Sequence, residues 1–446
     1  MIDTVDRLLE LALARGAKAA EVYAEQSVTR RVKVFRGAVE ELTSARRKGA
    51  GLRVFQDGSV GYAYASDVSD ESLAEVVDTA LANARVADRD SDSVLPAPRD
   101  EPAQVDVFDP GLEQATDEQR IDLALAVERA ALEADPRVKS VDESVYADGD
   151  AQVFLANSGG VRGHFREGHC YAYAYVLGEQ DGQVETGLSF TVGRKPADLD
   201  PRRCGVEAAT RAVELLGATK LKTTKTTVVL DPFVAASFFG VLSSALTAEA
   251  VQKGRSLFAG RVGEQVAGRG VTLTDDGLHP DGLASAPFDG EGVPCRRTPL
   301  ISGGVLQGFL HNVKTGHRDG HDSTGNGMRG SYQTIPGVGP TNLVLSGPQV
   351  RFDELIGAIE HGVLVTNAIG IHSGANPVSG EFSVGISGLL IEAGRVGAPV
   401  REVTMAGDIV SMLRSIVALG DDARWVPSGS IFTPSVVIEG VSIGGA

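Results

Sequence analysis

The chain has 446 residues, too many for one ordinary core, and domains of roughly 100–200 residues make two or three the expectation. A formal charge of −17 with no basic, aromatic-interleaved block argues against nucleic acid as a partner. Three cysteines (Cys170, Cys204, Cys295) without regular spacing fit reduced thiols rather than a disulfide framework, and no apolar run approaches the ~18 residues of a membrane span. A cytoplasmic location follows as the expectation, because the stretch MIDTVDRLLELALARGAK carries acids and arginines where a signal peptide has an unbroken apolar core.

In chain order, Leu8, Leu9, Leu11 and Leu13 between Asp3 or Thr4 and Gly16 predict a capped amphipathic helix. Short strands follow at 22–24, 31–35, 52–55 and 60–65, with QDGS at 56–59 as a turn, then a helix over about 70–85. Residues 87–115, rich in Asp, Pro and Ser, read as a linker closing a first unit at residue 86. Thr116 and Gln119 form a capping-box pattern before a helix at 117–134, because hydroxyl and amide can each satisfy an orphan backbone donor. Strands at 138–147, 151–156, 169–179 and 185–193 and a helix near 201–216 complete a middle unit, 116–219, that echoes the first. In the remaining unit, 220–446, strand TVVLD (227–231) enters a helix capped by Asp231 and opened by Pro232, a run expected to continue until Gly254. Strands are expected at 271–274, 297–302, 305–310, 342–346, 363–367, 381–392 and 435–443, with helices near 352–361 and 406–417. The fold class is α+β: helix-plus-meander units followed by a large, mostly antiparallel sheet domain with flanking helices.

Several groups invite a chemical reading. His311, His317 and His321 have spacings that can converge on a metal, yet they lie in HNVKTGHRDGHDSTGNG, read as a flexible, glycine-rich loop without an element to fix them. Asp275, Asp276, Asp281, Asp289 and Glu291 suggest calcium, but their spacing matches no EF-hand loop, and turn carboxylates bonded to local amides are the plainer reading. Cys295 has no nucleophile signature around it. The glycines of ISGGV, STGNG and SIGGA lack the Lys-Ser/Thr pair of a phosphate loop.

The segments RRVKVFRGAVEEL, GAGLRVFQDGSVGYAYASD, KGRSLFAGRVGEQV, TLTDDGLHPDGLASAPFDGEG, LISGGVLQGFLHN, STGNG, TNLVL, SGEFSVGISGLLIEAG and VSIGG occur in the order found in the TldD/PmbA family, which the whole chain resembles. The resemblance implies two kinds of subunit. TldD-type chains carry His-Glu-x-x-x-His before the K-G-x-S-x-F-x-G-R segment plus a late cysteine, and act as zinc peptidases; TldE (PmbA)-type chains lack these. Here the corresponding positions hold Ser244, Ala245 and Glu249, and no cysteine follows Cys295. The resemblance therefore implies a TldE-type subunit with no catalytic residue and no metal or cofactor of its own. Zinc is expected in a TldD-like catalytic partner, with which this chain would form a heterodimer acting on unfolded peptides. His311, His317, His321, Asn326, Asp289 and Glu291 are candidates for lining the peptide channel. A stand-alone peptide-binding module and an independent hydrolase built on the His311/His317/His321 loop are the alternative readings.

Overall fold

The computed structural model describes residues 1–98, 104–426 and 430–445. Its first half is one antiparallel sheet built from two similar blocks. Helix α1 (Ile2–Ala14), strands β1 (Ala19–Phe35), β2 (Ala38–Gln56) and β3 (Ser59–Ala65) and helix α2 (Asp70–Val86) form the first. After the short α3 (Gly111–Gln114), helix α4 (Asp117–Ala134), strands β4 (Val138–Asn157), β5 (Arg162–Gln180) and β6 (Gln183–Gly193) and helix α5 (Pro201–Val213) form the second. The strand order is β3-β2-β1-β4-β5-β6, so the blocks meet where β1 and β4 pair from Glu21↔Asn157 to Val34↔Ser144.

All four long helices cover one face of this sheet. Leu8, Leu9, Leu73, Val77 and Leu81 of α1 and α2 pack on Val22, Leu52 and Val54, and Ala124, Val127, Ala208 and Ala212 of α4 and α5 pack on Val32, Val34, Tyr146 and Val176. Thr116 and Gln119 close their capping box at the start of α4, with the Gln119 amide donating to Thr116 Oγ1 at 3.3 Å and the Thr116 amide to Gln119 Oε1 at 2.9 Å.

The strands are longer than expected, for physical reasons. Asp148-Gly149-Asp150 has the composition of a turn, yet β4 runs straight through it. Asp148 accepts from Arg120 Nε at 2.6 Å, Arg30 at 2.9 Å and the Tyr146 hydroxyl at 3.0 Å, and Asp150 accepts from Arg166 at 2.6 Å. Ion pairing supplies what a turn would otherwise have given these carboxylates. The distal hairpin of β1 and β2 escapes the period-2 test because Ala38–Lys48 are exposed on both faces, apart from half-buried Glu41.

In the C-terminal half, strands Thr224–Leu230, His361–Ile369, Glu381–Glu392, Arg395–Asp408 and Val436–Gly444 pair in sequence and close into a ring, because Val436–Gly444 also pairs with Thr224–Leu230. A second, six-stranded sheet lies alongside, and helix α6 (Pro232–Ala245) contributes Phe238, Phe239 and Leu242 to the common core. The helix expected near 406–417 is only Ile409–Arg414, since Val400, Val403 and Met405 before it are buried in strand Arg395–Asp408. Part of the segment expected as a linker, residues 99–103, lies outside the described residues. Upstream of it, Pro96 is held by Asn157 Nδ2 donating to its carbonyl at 3.1 Å.

Each outer strand carries a glycine beneath its block's second helix. A Cβ on Gly61 would sit 1.9 Å from Ala80 O of α2, and one on Gly187 would sit 2.1 Å from Ala208 O of α5. Gly61→Ala and Gly187→Ala should each lower stability by about 1–3 kcal/mol, because the helix must lift off the sheet to admit one methyl group. Thermal melts check this; an unchanged midpoint in either variant contradicts the packing described.

Candidate functional site

Helix α6 starts where Asp231 caps it, Oδ1 accepting from the Val234 amide at 2.8 Å, with Pro232 in the first position. It does not continue to Gly254. Thr247 caps a separate helix α7 (Ala248–Gln252), its hydroxyl accepting from the Ala250 amide at 3.2 Å and donating to Ser244 O at 2.9 Å. Leu310 holds the break open, its amide donating to Leu246 O at 2.9 Å and its carbonyl accepting from the Ala248 amide at 2.8 Å. The expected single helix is thus two, because a capping threonine and the bridging Leu310 intercept its backbone groups.

The break falls between the positions of interest. Residues five apart on an unbroken helix are rotated by about 140° and cannot face one ion, so a redirected chain is what such a pair of ligands needs. The side chains do not follow. Ser244 is exposed and donates to Val241 O at 3.0 Å, Ala245 is fully buried in the core, and Glu249 pairs with Lys253 at 2.6 Å.

The histidine segment is not a loose loop. Asn312 caps helix α8 (Val313–Asp319) by accepting from the Thr315 amide at 2.9 Å, and Gly320, at φ +69°, ends it. Gln252 Nε2 of α7 donates to Thr315 O at 2.9 Å, which ties α8 to the break. His311 is buried just before α8 and His321 is exposed just after it, with ring centroids 5.8 Å apart. His311 Nδ1 has no hydrogen-bond partner among the described residues, and burial lowers its pKa, which favours the neutral ring. His317 points elsewhere, to Asp92 at 3.2 Å, where Arg318 also binds Asp92 at 2.6 Å and Lys314 binds Asp90 at 2.6 Å. The sequence missed α8 because glycines at 316 and 320 flank His317, and its stability comes from the cap and tertiary bonds.

Asn326, Asp275, Asp289 and Glu291 are interior, whereas Asp276 is half-buried and Asp281 exposed. Asn326 donates to Asp275 at 2.7 Å and to Gly339 O at 3.0 Å. Asp289 accepts from the amides of Gly327, Glu291 and Val293 at 2.7, 2.9 and 3.0 Å. Glu291 accepts from Arg53 at 3.0 Å and from the Val313 amide at 2.8 Å. Burial pushes Asp289 and Glu291 above the usual carboxylate range; the neighbouring Glu291 charge adds to the effect at Asp289, and Arg53 opposes it at Glu291. These bonds link α8 to the first sheet through residues the sequence did not single out: Arg53 also binds Glu21 at 2.8 Å, and Arg329 binds Glu21 as well. The available signal was a charge inside each of two apolar strand runs, AAEVYA and GLRVF.

Beside this joint is a cavity of about 260 Å³ between the open face of the first sheet and the C-terminal half, lined by Tyr23, Glu167, Arg194, Phe288, Cys295 and Arg329. Burial pushes Glu167 up to about 7, with Arg194 opposing and Glu25 reinforcing the shift. Burial raises the Cys295 thiol well above its ordinary value, so it is no thiolate nucleophile.

Three domains of the PmbA/TldA metallopeptidases match this chain in order: domain 1 over residues 20–84, the central domain over 110–216 and the C-terminal domain over 223–445. The chain belongs to the PmbA/TldD metallopeptidase family. It is 29% identical to the metalloprotease PmbA of Escherichia coli O157:H7, covering 98% of this chain and 96% of that one. It is also 27% identical to a metalloprotease TldD homologue of Haemophilus influenzae, covering 99% and 96%. A Thermotoga maritima structure, named for a suggested modulation of DNA gyrase, superposes with TM-score 0.91 at 28% identity over 99% of both chains. TldE of Thermococcus kodakarensis, 23% identical over 99% and 100%, shares the fold with TM-score 0.91.

The residues that this chain of a metallopeptidase family places at the α6–α7 break do not fit zinc. One hydroxyl is committed to a backbone carbonyl, one position has no donor atom, and one carboxylate is paired with a lysine, whereas zinc takes three or four nitrogen, sulfur or oxygen ligands. Among the described residues, no three His, Cys, Asp or Glu side chains are grouped to hold a metal.

Glu167 gives a pH test of the cavity. Its folded pKa of about 7 exceeds the ordinary 4.5, so the folded chain holds the proton more tightly and stability falls as pH rises between those values. Glu167→Gln should remove that loss, gaining about 1–3 kcal/mol near neutrality and nothing below the ordinary pKa. Denaturant unfolding across this range checks it; a gain that is the same at every pH contradicts it.

Proposed function

We propose that this chain is the non-catalytic, TldE-type subunit of a heteromeric zinc metallopeptidase that processes or degrades unfolded peptides in the cytoplasm. A TldD-like partner carries the zinc, and this chain completes the enclosure through which peptide arrives. The observation that carries the reading is the α6–α7 break: the backbone turns between Ser244 and Glu249, and the side chains there offer one paired carboxylate instead of imidazoles. Peptide cleavage at a metal needs a ligand set and a free carboxylate to move the proton of the attacking water, and Glu249, with Lys253 beside it, is alone. Buried free thiols at Cys170, Cys204 and Cys295 suit a reducing compartment. Tyr171 and Tyr173 of β5, stacked at 6.4 Å, and exposed Tyr175 line one sheet face with aromatic rings suited to a sequence-tolerant peptide path.

A second reading, an independent hydrolase, draws on the 5.8 Å His311–His321 pair alone. It lacks further ligands, since His317 is engaged with Asp92. Binding of peptide without any partner is the third.

The purified chain should hold no stoichiometric zinc after dialysis and cleave no peptide. Mixed with a TldD-like subunit, it should co-elute in size-exclusion chromatography. One tightly held metal per chain, with peptidase activity abolished by His311→Ala or His321→Ala, would overturn the reading in favour of the hydrolase. Separate elution at micromolar concentration together with peptide binding by this chain alone would favour the binding module.

A further inference from the structure

On β5 the even positions Cys170, Ala172 and Ala174 pack in the core beneath α4 and α5, so Phe165, Glu167 and His169 point the other way, into the cavity of about 260 Å³ shared with the C-terminal half. Glu167 is half-buried and His169 exposed, yet burial shifts both towards the neutral form. Side chains that touch solvent while protein surrounds them line a recess and not an outer surface.

Among the described residues, two acids and two arginines line this recess, and one of each is fully engaged. Asp289 is filled by the amides of Gly327, Glu291 and Val293. Arg329 donates to Gly290 O at 2.6 Å, to Thr334 O at 3.0 Å and to Glu21. The other two lack a partner of opposite charge among the described residues. Arg194 is pinned by neutral carbonyls from three segments, donating to Val107 O at 3.0 Å, to Gly168 O at 3.1 Å and to Gly282 O, and its Nε has no partner. Glu167 accepts no hydrogen bond among the described residues; Arg194 acts on it only through space, and Glu25 adds negative charge nearby. A carboxylate without a donor and a guanidinium without an anion, held apart in one recess, are two poles that a single ligand can satisfy.

The wall between the poles is apolar. Phe165 and Phe288 meet edge to face at 5.0 Å, with Tyr23, Leu283 and Met328 around them. Aromatic faces of this kind also favour an ammonium group. The volume falls below the ~300 Å³ at which drug-sized ligands begin to fit, so the occupant is the size of one or two residues.

We propose that this recess binds a small apolar zwitterion, a free amino acid or a dipeptide, with its ammonium on Glu167, its carboxylate on Arg194 and its side chain against Phe165 and Phe288. Such a site needs neither the zinc assignment nor a TldD-like chain.

Isothermal titration of the full chain with phenylalanine near neutral pH should show one ligand bound per chain. Phenylpropionate, which lacks the ammonium, and phenethylamine, which lacks the carboxylate, should each bind roughly tenfold or more weakly. The first loss should vanish in Glu167→Gln and the second in Arg194→Met, because each variant removes the group that reads that pole. If Arg194→Met fails to fold, the two analogues and Glu167→Gln still decide the matter. The dipeptide Phe-Ala sets the charges farther apart, and whichever of it and phenylalanine binds more tightly identifies the source of the ligand. No binding of either at millimolar concentration overturns the proposal. So does binding indifferent to the loss of both charges, or a phenylpropionate loss that persists unchanged in Glu167→Gln.

Discussion

One buried guanidinium ties the two halves of this protein together beside the histidine corner. Arg53 of β2 lies between Glu21 of β1 and Glu291 of the C-terminal half, at 2.8 and 3.0 Å, and Arg329 closes the group on Glu21. Glu21, Glu291 and Arg329 side chains are almost wholly removed from solvent, so each charge depends on the others to offset its lost hydration. The two carboxylates raise the Arg53 pKa despite burial, which keeps the cation in place. Removing one member would leave an unpaired charge inside the molecule, so the set persists as a unit. Glu291 hands the constraint on: its second oxygen receives the Val313 amide at the start of α8, and α8 in turn holds Thr315 against α7. The sheet, the histidine corner and the α6–α7 break are thereby fixed relative to one another.

Much of this is legible in the amino-acid sequence wherever the chemistry is local. The caps at Thr116 and Asp231, the Pro232 start of α6 and the repetition of helix and meander are encoded within a few residues of where they act. The family is legible too, since a series of glycine- and acid-rich segments in fixed order depends on no long-range contact. Most of the failures share a cause, which is long-range pairing. Asp148 and Asp150 read as a turn until arginines from α4, β1 and β5 arrive. Residues 311–321 read as loose until Glu291, Gln252 and Thr324 hold them. The break after Ala245 depends on Leu310, 65 residues away, where no helix periodicity can register it. Glu21 and Arg53 are visible only as charges inside apolar runs, and their partners lie more than two hundred residues further along.

On the proposed reading, scaffold and chemistry have separated within the metallopeptidase fold. The C-terminal ring, the capped α6, the interrupted helix and the pinned α8 form an orderly frame around positions that carry Ser244, Ala245 and Glu249. A frame kept by packing and buried ion pairs, such as those of Arg53 and Arg329, can hold its shape without metal ligands at these positions. Such a chain can serve a reaction by shape and surface.

The most direct measurement is peptide cleavage by a complex reconstituted from this chain and a TldD-like subunit, inactivating one side at a time. Substituting alanine for Ser244, Glu249, His311 and His321 here should leave turnover in place, whereas replacing the first histidine of the partner's zinc motif should abolish it. Turnover that survives the partner's loss of that histidine, or that disappears when these four residues are replaced in a complex that still assembles, would contradict the account.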